Sequence, residues 1–394
     1  MIGGIAGDII GSVYEGRKAA TYDFPLFTPL NRFTDDTVMT LAVAAALLEC
    51  APYQGKLLEL GRRYPHAGYG GGFRRWLAAD DPKPYHSYGN GSAMRVGAVP
   101  WFFDGTDEVL HEARRSAEPT HDHPEGIKGA QATALAIRMA LDGRGKPEIR
   151  RRIEESFGYD LSESCDAIRA HYGFDVSCQG TVPPAIVAFL ESRDYEDAVR
   201  KAVFLGGDSD TLACITGSIA EAFYGGVPAS VAREVAKRLP VDLLAILVRS
   251  VERRGSEGAR ESLLPLIGLR LYLAAGRDPL LVPTRVHQDC LVLRANGTGR
   301  ELDEGHWSAS IRAAGVLRYG VLVVDFAGRS FGTADARIAD LLADAAKHSR
   351  IVVVNAPAAL ASSLRVKVGE DIRTYQGLEH AIRFADMTAA QAGH

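Results

Sequence analysis

The sequence predicts an all-helical domain spanning residues 1–278, followed by a small α/β domain spanning residues 279–394, and three observations lead to that reading. Through residue 250 the apolar residues recur at helical spacing, as in Val38-Met39-Leu41-Ala42-Ala45-Ala46-Leu48 and Ala130-Ala134-Ile137-Leu141, within alanine-rich runs that favour helix over strand. Beyond Pro283 the pattern changes to short continuous apolar runs, Cys290-Leu291-Val292-Leu293, residues 320–325 and residues 350–355, separated by helical stretches such as 333–347. Alternation of that kind marks strands joined by helical crossovers. Between the two regimes, residues 252–284 carry the charged, glycine-bearing VERRGSEGAR, the helical LLPLIGLRLYLAAG and then RDPLLVP, which places the boundary near residue 278.

Composition excludes several classes. At 394 residues the chain has room for two or three domains, each able to bury its own core. Apolar residues at 46% and charged residues at 24% are the balance of a globular protein, against disordered, collagen-like or coiled-coil chains. A net charge of −4, from 45 basic and 49 acidic residues, supplies no basic field for nucleic acid, which is disfavoured as a partner. The five cysteines form no CxxC, so neither a disulfide framework nor a thiolate zinc site is expected, in keeping with a reducing compartment. With Asp8 in place of a basic leader, and no run of about 18 apolar residues, the expected location is cytoplasmic, with no membrane contact.

Two segments hold most of the chemistry: Phe33-Thr34-Asp35-Asp36-Thr37 and Gly206-Gly207-Asp208-Ser209-Asp210-Thr211. Each sets hydroxyl and carboxylate oxygens just ahead of an apolar helix, where one such residue would serve as an N-cap. Capping does not require two carboxylates crowded together, however, and like charges at that spacing repel. A divalent cation removes the repulsion. Oxygen donors without adjacent Cys or His select Mg²⁺, Mn²⁺ or Ca²⁺ over zinc, and ligands drawn from two distant segments can clamp two ions about 3.5 to 4 Å apart.

Three further motifs are weaker by themselves. Gly7-Asp8-Ile9-Ile10-Gly11-Ser12 precedes Glu15, and spacing alone reads Asp8 and Glu15 as solvated or capping residues on a packed first helix. The loop Gly89-Asn90-Gly91-Ser92 opens onto a helix through Met94 and Arg95, so its amides can cradle a phosphate or simply make a turn, and it lacks the Lys of a P-loop. Thr120-His121-Asp122-His123-Pro124 spaces its histidines too closely for a helical metal pair, which favours surface or capping roles.

Taken in order, GDxxGSxxEG at 7–16, FTDDT at 33–37, GNGSAMR at 89–95, THxHPEG at 120–126 and GGDSDT at 206–211 resemble the ADP-ribosylglycohydrolase family over residues 1 to about 250. The resemblance implies an all-α ADP-ribosylglycohydrolase-type fold around a centre of two Mg²⁺ ions, with Mn²⁺ able to substitute, that binds ADP-ribose. It implies metal ligation by Thr34, Asp35, Asp36, Asp208, Asp210 and Thr211. It also implies catalytic roles for Glu15 and Asp35, and an ADP-ribose lining made by Gly89, Asn90, Gly91, Ser92, Met94 and His121. The implied reaction is hydrolysis of the bond linking ADP-ribose to a protein or small-molecule acceptor, releasing ADP-ribose; the alternative is a non-catalytic ADP-ribose-binding or toxin-neutralising protein. The C-terminal part resembles a STAS-like domain through its strand and helix order, but Thr333 and Ala334 stand where that family has its phosphorylatable Asp-Ser-Ser-Gly. The expected role there is protein binding, substrate guidance or structural support.

Overall fold

The computed structural model describes residues 1–254, 281–283, 290–294, 321–326, 335–347, 350–368 and 373–375. The boundary expected near residue 278, and Thr333 with Ala334, lie outside the described residues. By its internal contacts the chain divides into two compact units, Met1–Val235 with Arg249–Ser262, and Ala236–Val248 with Leu263–His394.

Residues 1–254 are helical, as expected. In chain order they form α1 (Ile2–Gly11), α2 (Asp35–Glu49), α3 (Tyr53–Arg63), α4 (Gly71–Ala78), α5 (Gly91–Arg95), α6 (Val99–Phe102), α7 (Thr106–Ala117), α8 (Pro124–Leu141), α9 (Lys146–Phe157), α10 (Cys165–His171), α11 (Cys178–Leu190), α12 (Tyr195–Leu205), α13 (Ser209–Tyr224), α14 (Ala229–Arg238) and α15 (Val241–Arg254). An isolated bridge between Gly89 and Ser177 ties the loop before α5 to the start of α11.

The contact that organises the site is the crossing of α1 and α13. Gly3, Gly7 and Gly11 recur every four residues and so share one helix face. An added Cβ on these glycines would stand 2.4 Å from the Gly217 carbonyl oxygen, 2.0 Å from that of Ala213 and 2.4 Å from that of Ser209. Partner positions falling as α1 positions rise mean that the helices run antiparallel, with backbones closer than any side chain permits. Asp8, one position on from Gly7, is turned about 100° from this face towards the start of α2, where its exposure is 0%. Its expected reading as a solvated or capping residue is therefore corrected: Asp8 is fully buried and its carboxylate is bonded to Thr34 and Thr37.

The loop that launches α13 also depends on glycine. Gly206 and Gly207 have φ of +84° and +71°, and a Cβ on Gly207 would lie 2.5 Å from the Gly173 carbonyl oxygen.

In the second unit five strands, β1 (Leu281–Pro283), β2 (Cys290–Arg294), β3 (Val321–Asp325), β4 (Arg350–Val354) and β5 (Arg373–Tyr375), form one sheet in the order β1-β2-β3-β4-β5. β1 and β2 are antiparallel, and the other pairs are parallel, with Val323 opposite Val352. The described crossover helices are α16 (Asp335–Ala345) and α17 (Ala358–Val368). Leu322 to Val324 and Ile351 to Val354 are buried throughout, the pattern of strands covered on both faces. No helix among the described residues is long and apolar enough to cross a membrane.

Candidate active site

The first acidic cluster is held from below by Asp8. One carboxylate oxygen of Asp8 accepts from the Thr34 hydroxyl at 2.6 Å, and the other accepts the backbone N–H groups of Thr34 at 2.9 Å and Thr37 at 3.1 Å, and the Thr37 hydroxyl. Thr34 Oγ1 also accepts the Asp36 N–H at 3.3 Å as the N-cap of α2. A hydroxyl that donates once and accepts once keeps one lone pair. Thr34 is thus both a cap and an available oxygen donor, so the capping and ligand readings of this residue do not compete.

Asp36 is more telling. Its Oδ1 accepts from Thr211 Oγ1 at 3.3 Å, and its Oδ2 is buried without any hydrogen-bond partner. A carboxylate oxygen left orphaned in the interior costs about 1 to 3 kcal/mol or more, so such an atom requires an explanation.

The second cluster meets the first. Asp208 occupies the N-cap position of α13 yet makes no capping bond with its side chain. Instead its Oδ2 accepts from Asn90 Nδ2 at 2.7 Å, and Asn90 Nδ2 also donates to Thr181 Oγ1 at 3.0 Å. Capping, the alternative that spacing left open, does not account for Asp208. Burial, reinforced by Asp8, Asp35 and Asp208, pushes Asp36 well above the usual carboxylate range, and burial with Asp36 and Asp208 does the same to Asp210. Asp35 is raised to about 7 by burial and then by the charge of Asp8, and Asp8 is raised to about 6 by burial against the pull of its four hydrogen bonds. Every shift points to a site short of positive charge.

Above the cluster lies a cavity of about 380 Å³. Glu15, Asp35, Asp36, Asp208 and Thr211 form its acidic side, and Gly89, Asn90, Gly91, Met94 and His121 form part of its opposite wall. Glu15 is exposed at the edge; partial burial and the charge of Asp208 raise its carboxyl, with Arg32 opposing. Thr34 and Asp210 stand behind the wall, both nearly fully buried. Ser92 is not part of the lining: its hydroxyl donates to the Gly126 carbonyl at 2.6 Å, which spends the side chain on joining α5 to α8. His123 caps α8, its Nδ1 accepting the Glu125 N–H at 3.0 Å, and Asp122 accepts the His86 N–H at 2.8 Å. A larger hollow of about 630 Å³, near Lys128 and Tyr159, is lined by Glu125 of the fourth motif but by none of the acidic clusters or the Gly89 loop.

Sequence reasoning missed several residues here. Asp8 and Thr37 form the floor, Tyr85 and Phe73 the wall, and Phe174 and Val176 an exposed apolar rim. Asp8 had a signal in the glycine spacing beside it, and Thr37 had one in closing the first acidic segment. The buried thiol of Cys178, near the Gly89 loop, is pushed up to about 12 by burial and lies outside the lining, which removes it as a nucleophile.

Among the described residues no three Asp, Glu, His or Cys side chains are already gathered as ligands about one point. Both oxygens of Asp8 are committed to Thr34 and Thr37, one of Asp208 to Asn90, and one each of Asp36 and Asp210 to Thr211, while Asp36 Oδ2 is orphaned. That orphan, the mutual elevation of the acids and the all-oxygen donor set nevertheless suit a hard divalent cation.

Residues 1–259 match the family model described as ADP-ribosylglycohydrolase. The chain is 26% identical over 309 residues to the ADP-ribosylhydrolase ARH3 of Bos taurus, covering 57% of this chain and 84% of that protein. The ADP-ribosylhydrolase ARH3 of Homo sapiens is likewise 26% identical, over 308 residues with the same coverage. A solved structure described as an ADP-ribosylglycohydrolase-related protein complex covers 64% of this chain and 95% of its own, at 26% identity and a TM-score of 0.48. With the family's model matched over about two thirds of its length and five motifs gathered around one cavity, this chain belongs to the ADP-ribosylglycohydrolase family and is a hydrolase of that type.

Proposed function

We propose that the protein hydrolyses the glycosidic bond between ADP-ribose and a modified acceptor, a protein side chain or a small molecule, in a reaction that depends on two Mg²⁺ ions. The single observation that carries the metal reading is the buried, partnerless Oδ2 of Asp36 at the meeting of the two acidic clusters. Thr34, Asp35, Asp36, Asp208, Asp210 and Thr211 would hold the ions, Asp8 and Asn90 fixing the side chains of Thr34 and Asp208. When bound, the ions supply Lewis-acid stabilisation and lower the pKa of coordinated water.

The chain's own groups do the rest. Cleavage at the ribose builds oxocarbenium character at the anomeric carbon, so the leaving group needs a proton and the incoming water must lose one. Asp35, raised to about 7, can hold and release a proton near neutral pH, which is what a general acid or base requires. Glu15, exposed at the cavity edge and also raised, is the second candidate for that proton. Gly89 and Gly91 let the cavity wall approach a ligand closely, with His121 against them. A cysteine nucleophile is not expected, since burial keeps the nearby thiol of Cys178 protonated. For the second unit we propose a protein-binding or substrate-guiding module, a reading supported by its own parallel sheet with buried strands.

The test is stabilisation by ligand. ADP-ribose at about 100 times its Kd adds roughly 2.7 kcal/mol to a folded state that binds it. Raised thermal stability with ADP-ribose and Mg²⁺ together is the expected result. Equal stabilisation without the metal contradicts the metal-dependent reading, and none in either condition contradicts the ligand.

A further inference from the structure

The wall opposite the acidic clusters contains a buried chain of polar groups that the reaction scheme does not use. Arg95 is 1% exposed and lies near no carboxylate to which it is bonded; its Nη2 donates to the carbonyls of Ser116 at 2.7 Å and Ala117 at 3.2 Å, and to Thr120 Oγ1 at 2.9 Å. Those carbonyls end α7, where the helix dipole is negative, which explains how a guanidinium stays charged there. Thr120 is 0% exposed, and its Oγ1 lies 2.7 Å from His121 Nδ1.

The direction of each hydrogen follows from counting. A guanidinium can only donate, so Thr120 Oγ1 is the acceptor of the Arg95 bond. The hydroxyl proton must then be given away, and no solvent reaches it. The neighbour within reach that can accept it is His121 Nδ1. An imidazole that accepts at Nδ1 and is neutral carries its only proton on Nε2. That nitrogen borders the cavity wall, 3.1 Å from where a Cβ on Gly91 would stand and 3.6 Å from one on Gly89.

We propose that Arg95 and Thr120 are positioning residues that lock His121 in the Nε2–H tautomer, so that the histidine presents one N–H donor to an acceptor oxygen of the bound ligand. Burial and the Arg95 charge independently hold His121 well below the ordinary imidazole range, which keeps a second proton off the ring near neutral pH. The same arrangement makes His121 a poor metal ligand through Nε2, since that nitrogen's lone pair is used by its proton. The ligand part of the proposal rests on the reading that the cavity takes ADP-ribose; the tautomer part does not.

The experiment is nitrogen-15 NMR of histidine-labelled full-length protein, with the His121 signals assigned by their loss in His121→Gln. The expected spectrum near neutral pH shows His121 protonated at Nε2 and bare at Nδ1, unchanged in Thr120→Ser and altered towards a mixture of tautomers in Thr120→Val. Protonation at Nδ1 in the wild type overturns the proposal, as does a Thr120→Val spectrum identical to it. Should Thr120→Val fail to fold, Thr120→Ala makes the same comparison, and the wild-type spectrum decides by itself. In kinetics, Thr120→Val should raise KM roughly three- to tenfold with a smaller change in kcat, the effect of one weakened hydrogen bond, and Thr120→Ser should restore it. If the wild type binds no ADP-ribose, the functional reading fails while the spectrum still tests the tautomer.

Discussion

Replacing Asp35 with asparagine, in protein stripped of divalent ions, should remove a pH dependence of stability that the wild type shows. Burial and the charge of Asp8 raise Asp35 from 3.8 to about 7 in the folded chain. The folded state therefore binds this proton more tightly than the unfolded state. The associated stabilisation is complete at low pH and is lost as the pH rises through about 7. Between about pH 6 and about pH 8 the folded group goes from mostly protonated to mostly ionised while the unfolded group stays ionised, a change of about 1.4 kcal/mol. Asp8, at about 6, adds about 0.4 kcal/mol in the same direction. His121 opposes them: its folded imidazole resists protonation, so the unfolded chain is favoured by its titration on acidification. Asp36, Asp210 and Glu15, also raised in the folded chain, act in the same direction as Asp35. Asp35→Asn should lose about 1.4 kcal/mol of stabilisation on acidification relative to the wild type over that interval, because the other groups are common to both proteins. The assay is urea unfolding with EDTA at the two pH values. Parallel pH dependence in the two proteins would refute the placement of a buried carboxylate crowded by other acids at this position.

Three other outcomes follow from the same geometry. Asp36→Asn and Asp210→Asn should each abolish turnover yet unfold at an equal or higher urea concentration in EDTA, since each removes a buried carboxylate crowded by its acidic neighbours, which one hydrogen bond from Thr211 does not offset; wild-type turnover in low Mg²⁺ would contradict the ligand assignment. Gly7→Ala places a methyl group 2.0 Å from the Ala213 carbonyl oxygen and should destabilise by about 1 to 3 kcal/mol, measured by urea unfolding, whereas an unchanged midpoint would deny the close helix crossing. Chelation should inactivate the protein, with Mg²⁺ or Mn²⁺ restoring activity and Zn²⁺ doing so poorly, because the ligand set is all oxygen and His123 is engaged as a helix cap; restoration by Zn²⁺ alone would contradict that set.

Much of this site was legible in the chain because its chemistry is concentrated in short segments. Thr34-Asp35-Asp36 and Asp208-Ser209-Asp210-Thr211 pack more carboxylates together than a helix start needs, and that excess is visible without any structure. What was not visible is who holds them. Asp8 lies 26 residues from Thr34 and Asn90 lies 118 from Asp208, and such pairs depend on how helices cross rather than on spacing. Asn90 belonged to a loop expected to line a ligand; it lines the cavity, and its amide is also a strut for the acidic cluster. Ser92 matched the same motif and yet faces α8, because successive helical positions point about 100° apart. The second unit shows a similar division. β2, β3 and β4 are continuous apolar runs and were expected, whereas β1 and β5 are three-residue edge strands, one ending in proline and the other written Arg-Thr-Tyr, with no pattern to distinguish them from loop.

The central claim is that the two acidic clusters together cut ADP-ribose from an acceptor in a metal-dependent reaction. Its most direct test is the release of free ADP-ribose from a panel of ADP-ribosylated proteins and small molecules, comparing wild type with Asp36→Asn, in excess Mg²⁺ and in EDTA. Release from at least one acceptor by the wild type in Mg²⁺ alone, with the variant and the chelated protein both silent, is the predicted result. Equal release by the chelated wild type, or by Asp36→Asn, would contradict it.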